Sequence, residues 1–600
     1  VGVTLPVKLA VPDFMHFRIR RRIGGLPDLF KSSVSMVPSG RKILSTLYKR
    51  SGIRQVHQAA NGGVFRFRQT FRKAPEKLLV APTDLRASDP FIAEEIVSGR
   101  YTLAGRTLDA GTECVFDLDP PSPEFATRLH SFVWLRDFRA TKSERHFQRA
   151  QEIAQDWIAR HRWPDDSAVW KPQTAALRLM SWLSHSPVIL KSAQLGFYRR
   201  FLKSIGLHVD YLRSVAPTAA DGLEIMRIRI ALAMASLSLP STLSTVQRAG
   251  ANLDRELDRQ ILADGGHISR NPRVILDLLM ELLPLRQTYV NLGYEMPSRL
   301  IPAIDRMFPA LRFFRHQSGE LSLFNGATAT LATELVAVLR YDESAGQPFR
   351  AMPYMRYQRI GTSSTAIIVD TGYPISQETS THAHAGCLSF ELSSGGHRLI
   401  VNSGAPLYGP EDYRQLARTT AAHSTVTLND TSSSSFGKLS GLGTVVTGGV
   451  RRVEASRRDD PQGEILVASH DGYVDRFGLY HERSLQLHSS GTIIRGGDRF
   501  IGKGGAEPDA NCGIRAVARF HIHPSIQIRP VDDNEVLLVA PDAQTWSFTC
   551  IDAKIEVGED VFFADSSGIR GSRQLEIAFD VGQVPEIQWR LEQKGRLKAR

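Results

Sequence analysis

The residues best equipped for chemistry crowd into one stretch, THAHAGCLSFELSSGGHRLIVNSGAPLYGPEDYRQLARTTAAHSTVTLND, residues 381–430. It holds His382, His384, Asn402, Tyr408, Tyr413, Arg418 and His423. His382 and His384 stand two apart, so an extended backbone points both imidazoles to one face, where they could grip a metal or a substrate. Two polar residues on a solvated strand face give the same pattern. The pair His521 and His523 has that spacing without similar company and reads as structural. A second polar knot is DGGHISRNP, residues 264–272. As chemistry, Arg270 would hold a carboxylate through two parallel N–H groups and His267 would move a proton. As structure, the knot is a loop followed by a helix cap, with Asn271 as N-cap and Pro272 in the first turn.

These residues need elements to position them. Leu388–Leu392 and Leu399–Val401 read as strands of a hairpin around Gly395-Gly396. A two-residue turn there pairs Ser389 with Asn402. A three-residue turn with a bulge pairs Phe390 with Asn402 and swings the amide to the other face, the only register in which His384 and Asn402 converge. From about 120 to 310 apolar residues recur at helical steps, as in Phe147, Ala150, Ile153, Ala154, Trp157 and Ile158. Breaks at Trp163-Pro164-Asp165, Pro217, Pro240-Ser241, Gly265-Gly266 and Pro297 cut this region into stacked helical hairpins. Near 350 the texture turns to short strands separated by Gly, Ser, Asn and Asp, and stays so to the end. Helices followed by strands argue for two successive architectures and against a Rossmann-type sheet. No GxxxxGK[ST] phosphate loop occurs.

The chain has 600 residues, 42% hydrophobic and 23% charged, with a formal net charge of +12. That composition excludes wholesale disorder and favours a polyanionic partner. Residues 14–75 are strongly basic and read either as a solvated face or as a docking surface for a polyanion or phospholipid head groups. Nucleic-acid binding has only net charge behind it and is not expected. Cys114, Cys387, Cys512 and Cys550 lie far apart, with no C-x-x-C pair, and read as reduced. No apolar run is long enough to span a bilayer, and the start is a poor secretory signal. A cytoplasmic protein is expected from the sequence as it stands, and a periplasmic one if a leader has been removed.

The segment HAHAGCLSFEL, LIVNSG and RTTAAHSTV resembles the central β-domain signature of the heparinase II/III-like polysaccharide lyases. Further similarity lies in SFVWLRDF (131–138), LRLMSW (177–182), LDRQILADGGHISRNP (257–272) and SHDGYVDRFGLYHERSLQL (469–487). The resemblance implies an incomplete α/α toroid followed by an antiparallel β-sandwich: a basic segment 1–80, a toroid 81–344 and a sandwich 345–600. It also implies β-elimination on a uronate-containing acidic polysaccharide in the cleft between them, a chemistry that needs a cation or strong donor beside the carboxylate. By this resemblance His382 matches the catalytic histidine, and His384 and His423 match two zinc ligands. Asn402 stands where the third ligand is an Asp, and an amide oxygen is a weaker zinc ligand than a carboxylate. Leu223, Glu224 and Val274 replace the toroid's Asn or His and its Tyr. His267, Arg270 and Tyr413 are the candidate substitutes in catalysis, with Asn271, Arg418 and Tyr408 as substrate contacts. The alternative is a protein on the same scaffold that binds acidic polysaccharide without cutting it, in capsule or exopolysaccharide handling.

Overall fold

Breaks in apolar periodicity become helix ends. The structure, a computed structural model, describes residues 73–343, 346–374, 378–439 and 443–596. All of these belong to the larger of two units into which the chain divides, Ser39–Arg600. The basic stretch up to Arg72 lies outside the described residues.

The helical half runs through α1 (Pro90–Val97), α2 (Pro123–Ser131), α3 (Glu144–Arg160), α4 (Pro172–Ser184), α5 (Leu195–Val215), α6 (Leu223–Ser238), α7 (Leu243–Gln260), α8 (Pro272–Leu292) and α9 (Leu300–Phe314), then α10 (Ala332–Leu339). Two kinds of helix alternate. α4, α6 and α8 are buried nearly all round, whereas α3 and α7 bury one stripe and expose the rest. A helix apolar on every side must be wrapped by others. α6 accordingly packs on α4, α7 and α8, giving the inner and outer layers of an incomplete α/α toroid. Caps fix the starts: Ser122 accepts from the Phe125 N–H, Thr242 from Thr245 and Asn271 from Arg273. The Asn271-Pro272 start is therefore the cap expected from the sequence.

Apart from a short hairpin in the helical half, Arg100–Leu103 with Arg106–Asp109, the strands follow from Ala351 onward. A nine-stranded antiparallel sheet runs from Ile555–Phe562 through Arg570–Asp580, Arg515–Ile522, His397–Val401, Phe390–Ser394, Thr365–Asp370 and Tyr357–Gly361 to Ala351–Met352, with Val426–Leu428 pairing beside Arg515–Ile522. An eight-stranded sheet, Val453–Asp460 to Gln527–Pro530, faces it. Phe390, Phe520, Phe548 and Trp589 stack between the sheets, Phe390 and Trp589 nearly parallel at 5.6 Å. A β-sandwich built on large apolar side chains follows.

Polar ties join the two halves. Asp264 accepts the N–H groups of Tyr354 and Met355, Arg414 pairs with Glu124, and His316 bonds Glu391 and Ser393.

Candidate functional site

The hairpin that sets Asn402 combines both sequence alternatives. Gly395-Gly396 forms a two-residue turn, with Ser394 opposite His397 and Ser393 opposite Arg398. A bulge then shifts the register, so Leu392 faces Ile400. Leu399 is the extra residue, and beyond it Asn402 follows the shifted register that the three-residue turn would have given. Asn402 is fully buried. Its N–H donates to Glu391, its Oδ1 accepts the Ser424 N–H at 3.0 Å, and its Nδ2 has no partner.

His423, next to Ser424, meets His384 directly. His384 Nδ1 lies 3.1 Å from His423 Nε2, with the rings edge to face. His423 Nδ1 donates to the Thr419 carbonyl at 2.7 Å. That contact assigns the proton to Nδ1, so His423 Nε2 accepts from His384. Burial holds both imidazoles neutral: it pulls His423 to about 4 and His384 well below the usual histidine range, where His423 and Arg418 also repel a proton. Zinc would have to replace this hydrogen bond and take its third ligand from an amide whose oxygen already accepts Ser424. Among the described residues no group of three His, Cys, Asp or Glu side chains could hold a metal. The donor set does not fit zinc.

His382 sits on the last turn before His384. Its N–H donates to the Thr379 carbonyl. The side chain stays open to solvent although surrounding protein, then Arg418 and Arg414, pull its proton affinity down. Such an exposed imidazole is a free base near neutral pH. The toroid approaches at Gly326, whose φ is +82°. A Cβ placed there would lie 3.2 Å from the His382 carbonyl oxygen and 3.6 Å from both Asn271 Nδ2 and His384 Nε2. Asn271, His382 and His384 thus meet around one glycine.

Other candidates lie elsewhere. Arg270 is not a substrate clamp: it is buried, paired with Asp370, bonded to the carbonyls of Met355 and Arg356 and set over the Tyr357 ring. His267 is fully buried between Gln260 and Ser269, and burial drives it to about 3. It reaches no substrate. Arg418 is likewise a clamp on main chain, bonding the carbonyls of Ser380, Ala383 and Thr444 and so holding the turn that carries His382. Tyr408 is half-buried against Gly105 of the helical half. Tyr413, on the short helix α11 (Glu411–Ala417), is 44% exposed beside Phe563. It remains available to a ligand. On the toroid side Glu224, in the first turn of α6, accepts the N–H of Ala220 in the loop before the helix.

Two residues escaped sequence reasoning. Glu391 is a buried carboxylate accepting from His316, Asn402 and the Leu323 N–H, and Asp370 holds Arg270, Asn325 and Gly372. A lone acid within or ending an apolar strand was the available signal.

Residues 344–590 match the family model "Heparinase II/III-like, C-terminal". Along 533 residues the chain is 29% identical to FtsZ-localized protein C of Caulobacter vibrioides, covering 86% of this chain and 90% of that one. Among solved structures, Heparinase III superposes with a TM-score of 0.66 at 14% identity over 93% of this chain and 92% of its own. A mutant of the heparan sulfate lyase HepC from Pedobacter heparinus gives 0.58 at 15% identity over 94% and 92%. These likenesses establish the fold of a polysaccharide lyase. The β-domain thus matches the heparinase II/III-like C-terminal model, and with the toroid that precedes it the chain has the fold of Heparinase III.

Proposed function

We propose that this protein binds an acidic polysaccharide without cutting it, on a scaffold built for lyases, in a crevice that we place beside His382 where the toroid approaches at Gly326. The observation that carries the reading is the closed ion pair of Arg270 and Asp370. β-Elimination must neutralise the uronate carboxylate before its neighbouring proton can leave. Arg270 is spent on Asp370, and Glu224 stands where the family has a neutral donor. His382 and the exposed Tyr413 remain as ring-stacking and hydrogen-bonding surfaces for a sugar. The name of the Caulobacter relative supports a place for the activity: we propose that this chain, too, localises with FtsZ, which colocalisation of tagged proteins in cells would test.

Lyase action is the second reading, favoured by the neutral, solvent-reached imidazole of His382. There His382 would take the proton and Tyr413 return one to the leaving oxygen. One experiment separates the two. The protein is mixed with a panel of acidic polysaccharides, and retention is followed by affinity electrophoresis while the unsaturated uronate is followed by absorbance. Retention without absorbance supports binding. An absorbance rise that His382→Ala abolishes establishes the lyase and overturns the binding reading.

A further inference from the structure

Inside the toroid, away from the crevice, Arg178 of α4 is fully buried. Its Nε donates to His208 Nε2 at 2.8 Å, and its Nη1 to the carbonyls of His130 and Val169. Its guanidinium carbon lies 4.1 Å from the Trp157 ring centroid and 5.0 Å from that of Trp170. None of these partners is an anion. His208 donates from Nδ1 to the Ser204 carbonyl, so its Nε2 is the lone pair of a neutral ring. Burial draws Arg178 down to about 9, with only Tyr211 opposing, and the group keeps its charge at neutral pH.

Around Arg178 three donors are left over, besides Nε2 of His161, a ring nitrogen that has no partner either. Arg178 Nη2, Trp170 Nε1 and Trp182 Nε1 are buried and have no acceptor. The three side chains surround His208, whose ring centroid lies 4.8 Å from Trp170 and 5.2 Å from Trp182. A buried charge is stable only when paired, and buried N–H groups are almost always satisfied. One water offers two lone pairs and no charge. An anion accepts from several N–H groups and cancels the guanidinium together.

We infer that the toroid interior holds a small inorganic anion of chloride size at Arg178 Nη2, with the unpartnered indole N–H groups of the neighbouring Trp170 and of Trp182 as the candidate further donors. The ion is a structural ligand of the helical half, and the inference does not depend on what the crevice binds.

The test uses the full chain. Thermal unfolding is measured at constant ionic strength in sodium chloride, sodium bromide and sodium gluconate, whose anion is too large for the interior. The midpoint should rise by a few degrees in chloride and bromide over gluconate, and Arg178→Met should lose that difference. Equal midpoints in all three salts, or an unchanged chloride response in Arg178→Met, would overturn the inference. Should Arg178→Met fail to fold, wild-type crystals grown in bromide decide. An anomalous peak in contact with Arg178 Nη2 supports the anion, and a water or empty density there without anomalous signal refutes it.

Discussion

At the scale of single residues, the partner a side chain finds decides its role. Arg270 has the right type and neighbours for a carboxylate clamp, yet its carboxylate comes from Asp370, a hundred positions away. Removing one partner of a buried pair costs about 3–5 kcal/mol, because the other charge is left uncompensated. Asp370→Leu should therefore lower unfolding stability in urea by that order, and Arg270→Met combined with Asp370→Leu should recover most of it. If Arg270→Met abolished glycan retention with stability untouched, Arg270 would be a ligand contact after all. The buried histidines give a pH signature. Folding depresses His423 to about 4 and His267 to about 3, so their shares of stability are complete above the unfolded value of about 6.5. As pH falls the unfolded chain takes up these protons first. Stability is lost at up to about 1.4 kcal/mol per pH unit per histidine until the folded values are reached. Denaturant midpoints between pH 7 and 4 would show this slope, and His423→Asn should reduce it by one histidine's share.

At the scale of elements, much was legible. Helix breaks at Pro and Gly, the Asn271 cap and the change to strands near 350 follow from local rules, since each depends on backbone sterics within a few residues. The site was legible only in part. His384 and His423 come together as a hydrogen-bonded pair. The bulge at Leu399 follows from sheet packing and has no local signature beyond the glycine pair. The burial of His267 and Arg270 depends on strands far along the chain. Gly326 shows how element and site are joined. Its left-handed backbone lets a loop of the helical half pass within contact of the His382 turn. Gly326→Ala adds a methyl in a strained conformation, at a cost of about 1–3 kcal/mol. It should also push the His382 carbonyl aside and weaken glycan retention severalfold. Retention equal to wild type in a folded variant would separate the loop from the crevice.

For the whole molecule, the charge is unevenly placed. Residues 1–72 carry 14 Lys and Arg against two Asp, whereas the other 528 residues carry 60 of each sign. The net +12 belongs entirely to that first stretch, so overall charge is no argument for a polyuronate in the crevice. Screening weakens exposed charge interactions beyond a distance of about 8 Å at physiological salt. Retention on an anionic glycan that disappears with salt should therefore be lost on deleting residues 1–72. Retention that survives salt should persist in the deletion and fall in His382→Ala. Salt-sensitive retention undiminished by the deletion would place the attraction in residues 73–600.

The unpartnered Nδ2 of Asn402 has an evolutionary meaning. Asparagine and aspartate codons differ by one base, so this chain stands one mutation from a different cofactor economy. With Asn402→Asp, an oxygen would replace the orphaned amide nitrogen of a side chain already bonded to Ser424, the residue after His423, leaving a buried anion that either raises its own proton affinity or recruits a cation. Elemental analysis should find stoichiometric zinc in Asn402→Asp and none in the wild type, and the variant should become sensitive to chelators. Zinc in the wild type would show that an amide suffices. Its absence from both would mean that the direct contact between His384 and His423 has closed the way back.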